Sequence, residues 1–293
     1  MRKSSLLFVC AVLVSLAIPV QSNAESDMDI WNKAVKKIMA VKDYQCQLHV
    51  FIWNTPEAIK HKPMNSEGKE NKEYWYIYDL DMKWKEPGYV HVRVVRADNP
   101  GTDLATKQIK KKPGTQIVFG YKDDTDIYGK FPKTGDPVID KQVEKHIFHM
   151  PASAFEGTRP ELGFNSNIKS ITNYLCHYNK DGKISMEVTA MPEKLNLNFD
   201  PDEGSVKYDL KQTSRKYYKF TMIPDDPKKH VGTTREFVYI DMDTLMPMQF
   251  EVYENDRLVV VFNIEGLETD IGLSDSLWEN YFKGAAVFSP TGG

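Results

Sequence analysis

The chain has 293 residues, of which 41% are hydrophobic and 27% are charged. This length and composition can bury a sizeable core and suit one large domain. The formal net charge is −3 at pH 7, so the chain has no basic surplus with which to hold a phosphate backbone. Nucleic acid is therefore excluded as an expected partner.

The first 24 residues have the features of a secretory signal peptide. Arg2 and Lys3 precede an apolar run at residues 6–20, and small residues follow up to Ala24. This run of about 15 residues is shorter than the roughly 20 that span a bilayer. Residues 1–24 are therefore predicted to be removed on secretion, which changes the net charge from −3 to −5 because two basic residues and no acid are lost.

The secreted chain keeps two cysteines, Cys46 and Cys176. A compartment that oxidises thiols permits a disulfide between them. Cysteine is also a common small core residue, and two buried free thiols explain the sequence equally well. The spacing of the two residues does not decide between these alternatives.

A helix is predicted at the start of the secreted chain, and strands follow it. Ile30, Ala34 and Ile38 fall at helical spacing, and Ser26 can serve as the N-cap. Beyond this helix, apolar residues mostly alternate with polar ones between turn-forming residues. Strands are predicted at residues 43–53, 73–80, 89–95, 115–121, 183–190, 205–213 and 216–223. Helical patterns at residues 138–148 and 165–178 form a central insertion, and a loose tail is expected at residues 284–293.

Residues 235–263 predict an antiparallel meander of three strands. Phe237 and Tyr239 alternate with Glu236, Val238 and Ile240. This enrichment in aromatic and β-branched residues is typical of a half-buried strand. Short polar residues around Asp241 and Asn255 favour the two reversals. With the upstream strands, the meander predicts a curved sheet of about ten strands, whose apolar face the predicted helices must cover.

The sequence contains no strong catalytic motif. Nucleophile elbows, phosphate-binding glycine loops and zinc-protease motifs do not occur. His146 and His149 would share one face of the predicted helix and could ligate a metal, but no third ligand has metal-site spacing. Asp241 and Asp243 are interpreted as turn formers and not as a catalytic carboxylate pair. No cofactor or metal is expected, and the chain is not predicted to be an enzyme.

Four motifs resemble those of a known group of bacterial envelope proteins. They are Asp43-Tyr44-Gln45-Cys46, a K-x-K-x-P-G turn with an extra residue at residues 83–88, a Y-I-D-x-x-T-x-L-P pattern at residues 239–248, and Leu273-Ser274-Asp275. Together they are similar to the LolA/LolB-like superfamily, in particular to its poorly characterised branch of outer-membrane lipoprotein-sorting proteins. This chain differs from the compact members by long loops at residues 54–72 and 99–114.

The resemblance implies a mainly β (α+β) fold. The expected architecture is a strongly curved antiparallel open half-barrel, covered by the N-terminal helix and the central helical insertion. It would form a single LolA-like lipid-binding domain at residues 25–283. The resemblance also implies a location in the periplasm and a monomeric protein.

Two functions are carried forward from the sequence. The first is a non-catalytic periplasmic carrier that binds a lipid or the acyl chains of a lipoprotein. The second is an envelope interaction or stress-sensor module that uses the same sheet to bind an envelope or membrane protein. From the sequence alone a filled core is the simpler explanation of the apolar strands, and a cavity is the alternative. The residues expected to line a hydrophobic cavity are Leu48, Val50, Ile52, Val92, Val94, Met248, Phe250, Val260 and Phe262.

Overall fold

The chain forms one large sheet and a separate small one. The computed structural model describes residues 25–55, 74–86, 88–98, 116–123, 126–130, 137–151, 168–176, 182–190, 193–200, 203–211, 214–230, 232–282 and 286–288. The predicted signal peptide, the loop at residues 99–114 and nearly all of the loop at residues 54–72 lie outside these ranges.

Fourteen strands are present in the described part of the chain. They are β1 (Asp43–Asn54), β2 (Tyr74–Lys85), β3 (Tyr89–Asp98), β4 (Gln116–Asp123), β5 (Asp126–Lys130), β6 (His146–Pro151), β7 (Gly182–Ala190), β8 (Glu193–Asp200), β9 (Ser205–Lys211), β10 (Lys216–Pro224), β11 (Arg235–Asp241), β12 (Pro247–Glu254), β13 (Arg257–Thr269) and β14 (Ala286–Phe288).

Twelve of these strands form a single open sheet in the order β14-β6-β5-β4-β3-β2-β1-β13-β12-β11-β10-β7. Every neighbouring pair is antiparallel except β14 and β6, which are parallel. β8 and β9 form a hairpin that does not hydrogen-bond to this sheet. The expected fold class is confirmed: a mainly β, antiparallel, open half-barrel with helices against it.

Four α-helices accompany the sheet in the described residues. They are α1 (Asp27–Ala40), α2 (Pro137–Lys145), α3 (Ile168–Leu175) and α4 (Ser276–Phe282). The predicted N-cap is confirmed, because the Ser26 hydroxyl accepts a hydrogen bond from the Asp29 backbone N–H and the Asp29 side chain reaches back to Ser26. Within the described ranges, every helix is too short or too polar to cross a membrane.

The two faces of the sheet carry different residues. The inner face carries Leu48, Val50 and Ile52 and packs against α1 and α3. The outer face carries the alternate residues of the same strand, such as Phe51, and packs in part against the β8–β9 hairpin. Successive side chains of a strand point to opposite faces, so both layers follow from one alternating sequence.

The structure corrects three sequence-based predictions. The helix expected at residues 138–148 ends at Lys145, and the following residues form β6. β5 and β8 occupy segments in which no strand was predicted. Within the tail that was expected to be loose, Ala286–Phe288 pairs with β6. Short apolar runs such as Ile147-Phe148 suit a helix and a strand equally well, and the partner strand decides which forms.

Candidate functional site

A continuous apolar row crosses the inner face of the sheet. Val50 on β1 pairs with Phe262 on β13, which in turn pairs with Phe250 on β12. Residues paired in the same register continue the row through β11, β10 and β7 on one side and through β2 on the other. In spatial order the row contains Tyr78, Val50, Phe262, Phe250, Val238, Phe220 and Met186. Directly opposed side chains of neighbouring strands are close enough to pack, so the row is one apolar surface.

Two helices cover this row. Trp31 on α1 is fully buried and meets the ring of Phe220 edge-on, with 5.1 Å between the ring centroids. Other α1 residues buried in the same cluster include Ala34 and Ile38. α3 adds a buried stripe whose members are Ile168, Ile171 and Leu175. The sheet, α1 and α3 therefore share one apolar core, named here the inner cluster.

The described polar contacts between α3 and the sheet are made at its first turn. The Ile168 backbone N–H donates to the Tyr44 hydroxyl at 3.4 Å. Lys169 lies over the Trp84 ring, 4.9 Å from its centroid, and pairs with Glu86 at 3.4 Å. The Tyr44 hydroxyl is buried beneath the helix, and this burial raises its pKa well above the ordinary value. Tyr44 belongs to the Asp43-Tyr44-Gln45-Cys46 motif, so one role of that motif is to attach α3.

Most of the residues predicted to line a cavity lie in the inner cluster. The buried ones are Leu48, Val50, Ile52, Phe250, Val260 and Phe262. Val92 is partly buried against this cluster, whereas Met248 is half-buried and does not belong to it. Val94 lies on β3, and its side chain is outside what the structure describes. The structure brings the described members together under the helices; whether they open to a ligand remains a proposal.

Cys46 and Cys176 are both free thiols in the structure. Cys46 is buried in the inner cluster, and this burial raises the pKa of its thiol to about 12. Cys176 directly follows α3 and is half-buried against the same cluster. A thiol with such a raised pKa is a poor nucleophile at neutral pH, so Cys46 acts as a core residue.

The acidic residue of the Asp43-Tyr44-Gln45-Cys46 motif holds the backbone of residues 271–273. Asp43 is 4% exposed, and its carboxylate accepts hydrogen bonds from the backbone N–H groups of Ile271, Gly272 and Leu273 at 2.7, 3.2 and 3.1 Å. Asp241 has a similar role, because its Oδ1 accepts from the Asp243 and Thr244 backbone N–H groups at 3.1 and 2.8 Å. Both acids organise backbone, as was predicted for Asp241.

The metal site considered at His146 and His149 loses its geometric basis. Both residues lie on β6 and not on a helix, so the helical spacing that would align them does not exist. Among the residues that the structure describes, no group of three or more histidine, cysteine, aspartate and glutamate side chains is arranged to hold a metal ion.

The outer face has a second apolar cluster that the sequence did not predict. Phe199 on β8 stacks on Phe51 and contacts Trp53 and Trp75, with 5.0, 5.3 and 5.0 Å between the respective ring centroids. The alternation of Leu197 and Phe199 with asparagines was the available signal. The hairpin therefore covers the outer face with side chains alone, because β8 and β9 make no strand pairing with the large sheet.

A charged network lies beside this hairpin. His49 places Nδ1 2.7 Å from Asp79 Oδ1 and Nε2 3.3 Å from Glu265 Oε2. Carboxylates only accept hydrogen bonds, so both contacts form together only when the imidazole carries two protons. The hydrogen bond to Asp79 raises the pKa of His49, against the opposing effect of burial. Arg96 lies 3.7 Å from Asp79 and donates to the Leu197 carbonyl and the Asn198 amide oxygen on β8.

Past this network, the outer face forms a groove of about 570 Å³, named here the outer groove. Its lining includes the residues Gln45, Gln47, Asp81, Lys83, His91, Arg93, Glu265, Gly266 and Glu268. Most lining residues are polar or charged, with both signs present, and Cys46 and Met82 of the inner cluster add apolar surface at the base of the groove. The two faces therefore suit ligands of different chemistry.

Comparisons of the sequence with models of known protein families and with curated proteins give no match. Solved structures that match the fold include a LolA superfamily protein from Nitrosomonas europaea, at 10% identity and a TM-score of 0.30 over 86% of this chain and 97% of that one. A lipoprotein-sorting protein domain from Vibrio parahaemolyticus matches at 11% identity and a TM-score of 0.34, over 87% and 97% of the two chains. MucB in its complex with MucA from Pseudomonas aeruginosa matches at 10% identity and a TM-score of 0.32, over 85% and 59%. The solved structures that this chain resembles thus include the superfamily expected from its motifs, and at these values the likeness is one of fold alone.

Proposed function

We propose that the protein is a non-catalytic periplasmic carrier that binds an acyl chain between the inner face of the sheet and the helices α1 and α3. The observation that carries the proposal is the unbroken apolar row across the inner face, which the helices α1 and α3 cover in the described part of the chain. The signal-peptide pattern at residues 1–24 supports the periplasmic location. In this state the helices occupy the inner face, so binding requires that at least one of them moves.

α3 is the helix that moves most readily. Its polar attachments include a long hydrogen bond at Tyr44, the stacking of Lys169 on Trp84 and a half-exposed ion pair at Glu86, and pairs of this kind contribute about 1 kcal/mol or less. Its apolar attachment is larger, because three buried side chains each contribute roughly 1.5–3 kcal/mol. Removing α3 from the sheet therefore costs about 5–9 kcal/mol before any ligand is bound.

This cost sets a minimum length for the ligand. Each methylene moved out of water contributes about 0.8 kcal/mol, so a chain of about eight carbons recovers roughly 6 kcal/mol. That gain only matches the loss of the α3 contacts. A chain of about sixteen carbons recovers roughly 12 kcal/mol and leaves a surplus for binding. We therefore expect affinity for long acyl chains and little for short ones.

The test is acyl-chain binding by two variants that differ only in the face they change. Val260 and Val261 are neighbours on β13, and both are fully buried, Val260 in the inner cluster and Val261 in the cluster beneath the hairpin. Val260→Phe should reduce binding of a fluorescent long-chain fatty acid, and Val261→Phe should not. Both variants add the same bulk, so their folding is compared by thermal unfolding.

Lipid extraction and mass spectrometry of protein secreted to a periplasm give the second measurement. We expect long-chain lipid to co-purify with the wild-type protein and to decrease in Val260→Phe. If both variants unfold, the smaller changes Val260→Ala and Val261→Ala keep the comparison. Absence of bound or exchangeable lipid, together with equal behaviour of the two variants, would overturn the proposal and leave the interaction module as the better function.

A further inference from the structure

A β-bulge on β13 shapes the outer groove, and a second bulge, on β3, lies beside it. Glu268 on β13 pairs with Gln45 on β1, and Glu265 pairs with Gln47. The two glutamates are three residues apart and their partners only two, so β13 has one extra residue. In a regular strand, residues three apart point to opposite faces. The extra residue, at Gly266 with a φ of +61°, brings both glutamates to the outer face.

The second bulge lies on β3, on the other side of the groove. Arg96 pairs with Asp79 and Val94 pairs with Leu80, so one residue of β3 is extra. Arg93 and Arg96 are three apart and consequently reach the same outer face. In the groove itself, β13 contributes Glu265 and Glu268, β3 contributes His91 and Arg93, and β1 and β2 lie between them; Arg96 extends the basic side beyond the groove.

Two opposite charges in the groove are not neutralised by each other. Gln45 pairs with Glu268 on one side and with Lys83 on the other, so these two residues are two strands apart. Two strand spacings are about 10 Å, and in the described part of the chain the two side chains form no ion pair with each other. Glu268 accepts a hydrogen bond at 2.5 Å from the neutral Gln45 amide, and Lys83 has no ion-pair partner in the part of the chain that is described. The other acid of the floor, Asp81, is already paired with Arg93.

We propose that the outer groove binds a short zwitterionic peptide, with its ammonium group at Glu268 and its carboxylate at Lys83. A tripeptide in extended conformation is about 10 Å long, which matches the spacing of the two charged residues. Gln47 lies two residues beyond Gln45 on β1 and also lines the groove. Its side-chain amide can donate a hydrogen bond to a peptide group and accept one from it. An extended segment of a larger protein with a basic and an acidic side chain at this spacing presents the same chemistry.

The ligand series that tests the proposal is alanine tripeptide with free, N-acetylated, C-amidated or doubly blocked ends. Binding is followed by NMR shifts of the backbone amides of β1 and β13 in the intact secreted protein. We expect that blocking either end weakens binding about tenfold, equivalent to about 1.4 kcal/mol, and that added salt weakens the free peptide most.

Protein variants assign the two ends. In Lys83→Met, amidation of the peptide should no longer matter, and in Glu268→Gln acetylation should no longer matter. The matched control is the Lys219–Glu187 ion pair, which lies outside the groove with Nζ and Oε1 2.7 Å apart. Lys219→Met and Glu187→Gln should leave peptide binding unchanged.

Equal binding of all four peptides, or no shift of the groove amides with any of them, would overturn the proposal. An equal loss in the control variants would also overturn it, because the effect would then be one of general charge. A free protein segment and a tripeptide are distinguished by a longer peptide with blocked ends and with lysine and glutamate at matching spacing. Val260→Phe on the opposite face should leave all these results unchanged, which separates this site from the acyl-chain proposal.

Discussion

His49 makes the stability of the sheet depend on pH in a direction that can be worked out from its contacts. The ring bridges Asp79 on β2 and Glu265 on β13, and Arg96 on β3 is the nearby cation that shares Asp79. The hydrogen bond to Asp79 raises the pKa of His49 above its ordinary value in the folded state. A raised folded-state pKa means that protonation stabilises the fold. This contribution is complete below the pKa of the unfolded state, about 6.5, and is lost as pH rises through the folded-state pKa.

The size of the effect follows from the two contacts. Hydrogen bonds to charged groups contribute roughly 1.5–3 kcal/mol each when they are buried. The His49 side chain is 16% exposed and Asp79 is 18% exposed, but Glu265 is 42% exposed and its contact is longer. Solvent screening therefore leaves the Asp79 contact as the main contribution. We expect roughly 1–3 kcal/mol between pH 5 and pH 9, or a change in melting temperature of about 2–9 °C for a chain of this size.

The assay is urea unfolding at several pH values in this interval, for wild type and His49→Gln. The difference between the two curves isolates His49 from other titrating groups, and it should shrink as pH rises. Glu265→Gln should remove the smaller part of the dependence, and Lys219→Met, which changes an ion pair outside this network, should remove none. A difference between wild type and His49→Gln that is constant with pH would refute the bridging imidazolium.

Three further predictions concern two carboxylates that bind backbone N–H groups and the β-bulge at Gly266. Asp43→Ala should destabilise the protein by about 3 kcal/mol or more in urea unfolding, because three backbone N–H groups lose their acceptor; Asp43→Asn, which keeps one oxygen, should cost clearly less, and equal costs would contradict this account. Gly266→Ala meets no atom within 4 Å but has a φ of +61°, so it should cost only about 1 kcal/mol of backbone strain; an unchanged melting temperature would argue against the bulge. Asp27→Ala frees the Met186 backbone N–H, 3.0 Å from Asp27 Oδ2, on the edge strand β7, so light scattering should show association that increases with concentration; a variant that stays monomeric at every concentration would show that Asp27 does not protect this edge.

The local elements were predictable where the sequence decides them alone. Ser26 and the apolar spacing after it define α1, and Asp241 defines the turn between β11 and β12. The alternation of Leu48, Val50 and Ile52 was enough to predict the inner face of β1. In each case the signal lies within one strand, helix or turn and does not depend on what packs against it.

Elements that depend on a distant partner were missed. β6 follows α2 without a break, and β14 pairs with it from the far end of the chain. The β8–β9 hairpin becomes stable only because Phe199 finds three aromatic rings on the outer face. A hairpin of two strands is marginal in water without such a surface. The β6 and β14 segments are too short for a clear periodic pattern, and the alternation at residues 195–199 does not by itself show which surface the hairpin covers.

The outer groove shows why alternation alone could not locate the charged site. Counting by twos along β13 from the buried Phe262 and Ile264 assigns Glu268 to the inner face, where a carboxylate would be buried among apolar side chains at a cost of several kcal/mol. The bulge at Gly266 removes that conflict by moving Glu268 to the outer face. Two like charges three residues apart, with a glycine between them in an otherwise apolar strand, are therefore a sequence signal for a bulge.

β3 lacks the glycine but has the same charge spacing at Arg93 and Arg96, together with a Val95 that is 50% exposed. Since regular alternation would assign Arg96 to the inner face, the charges themselves favour the bulged register. The bulge at Gly266 lies in the lining of the groove, and the bulge on β3 extends the charged outer face beside it.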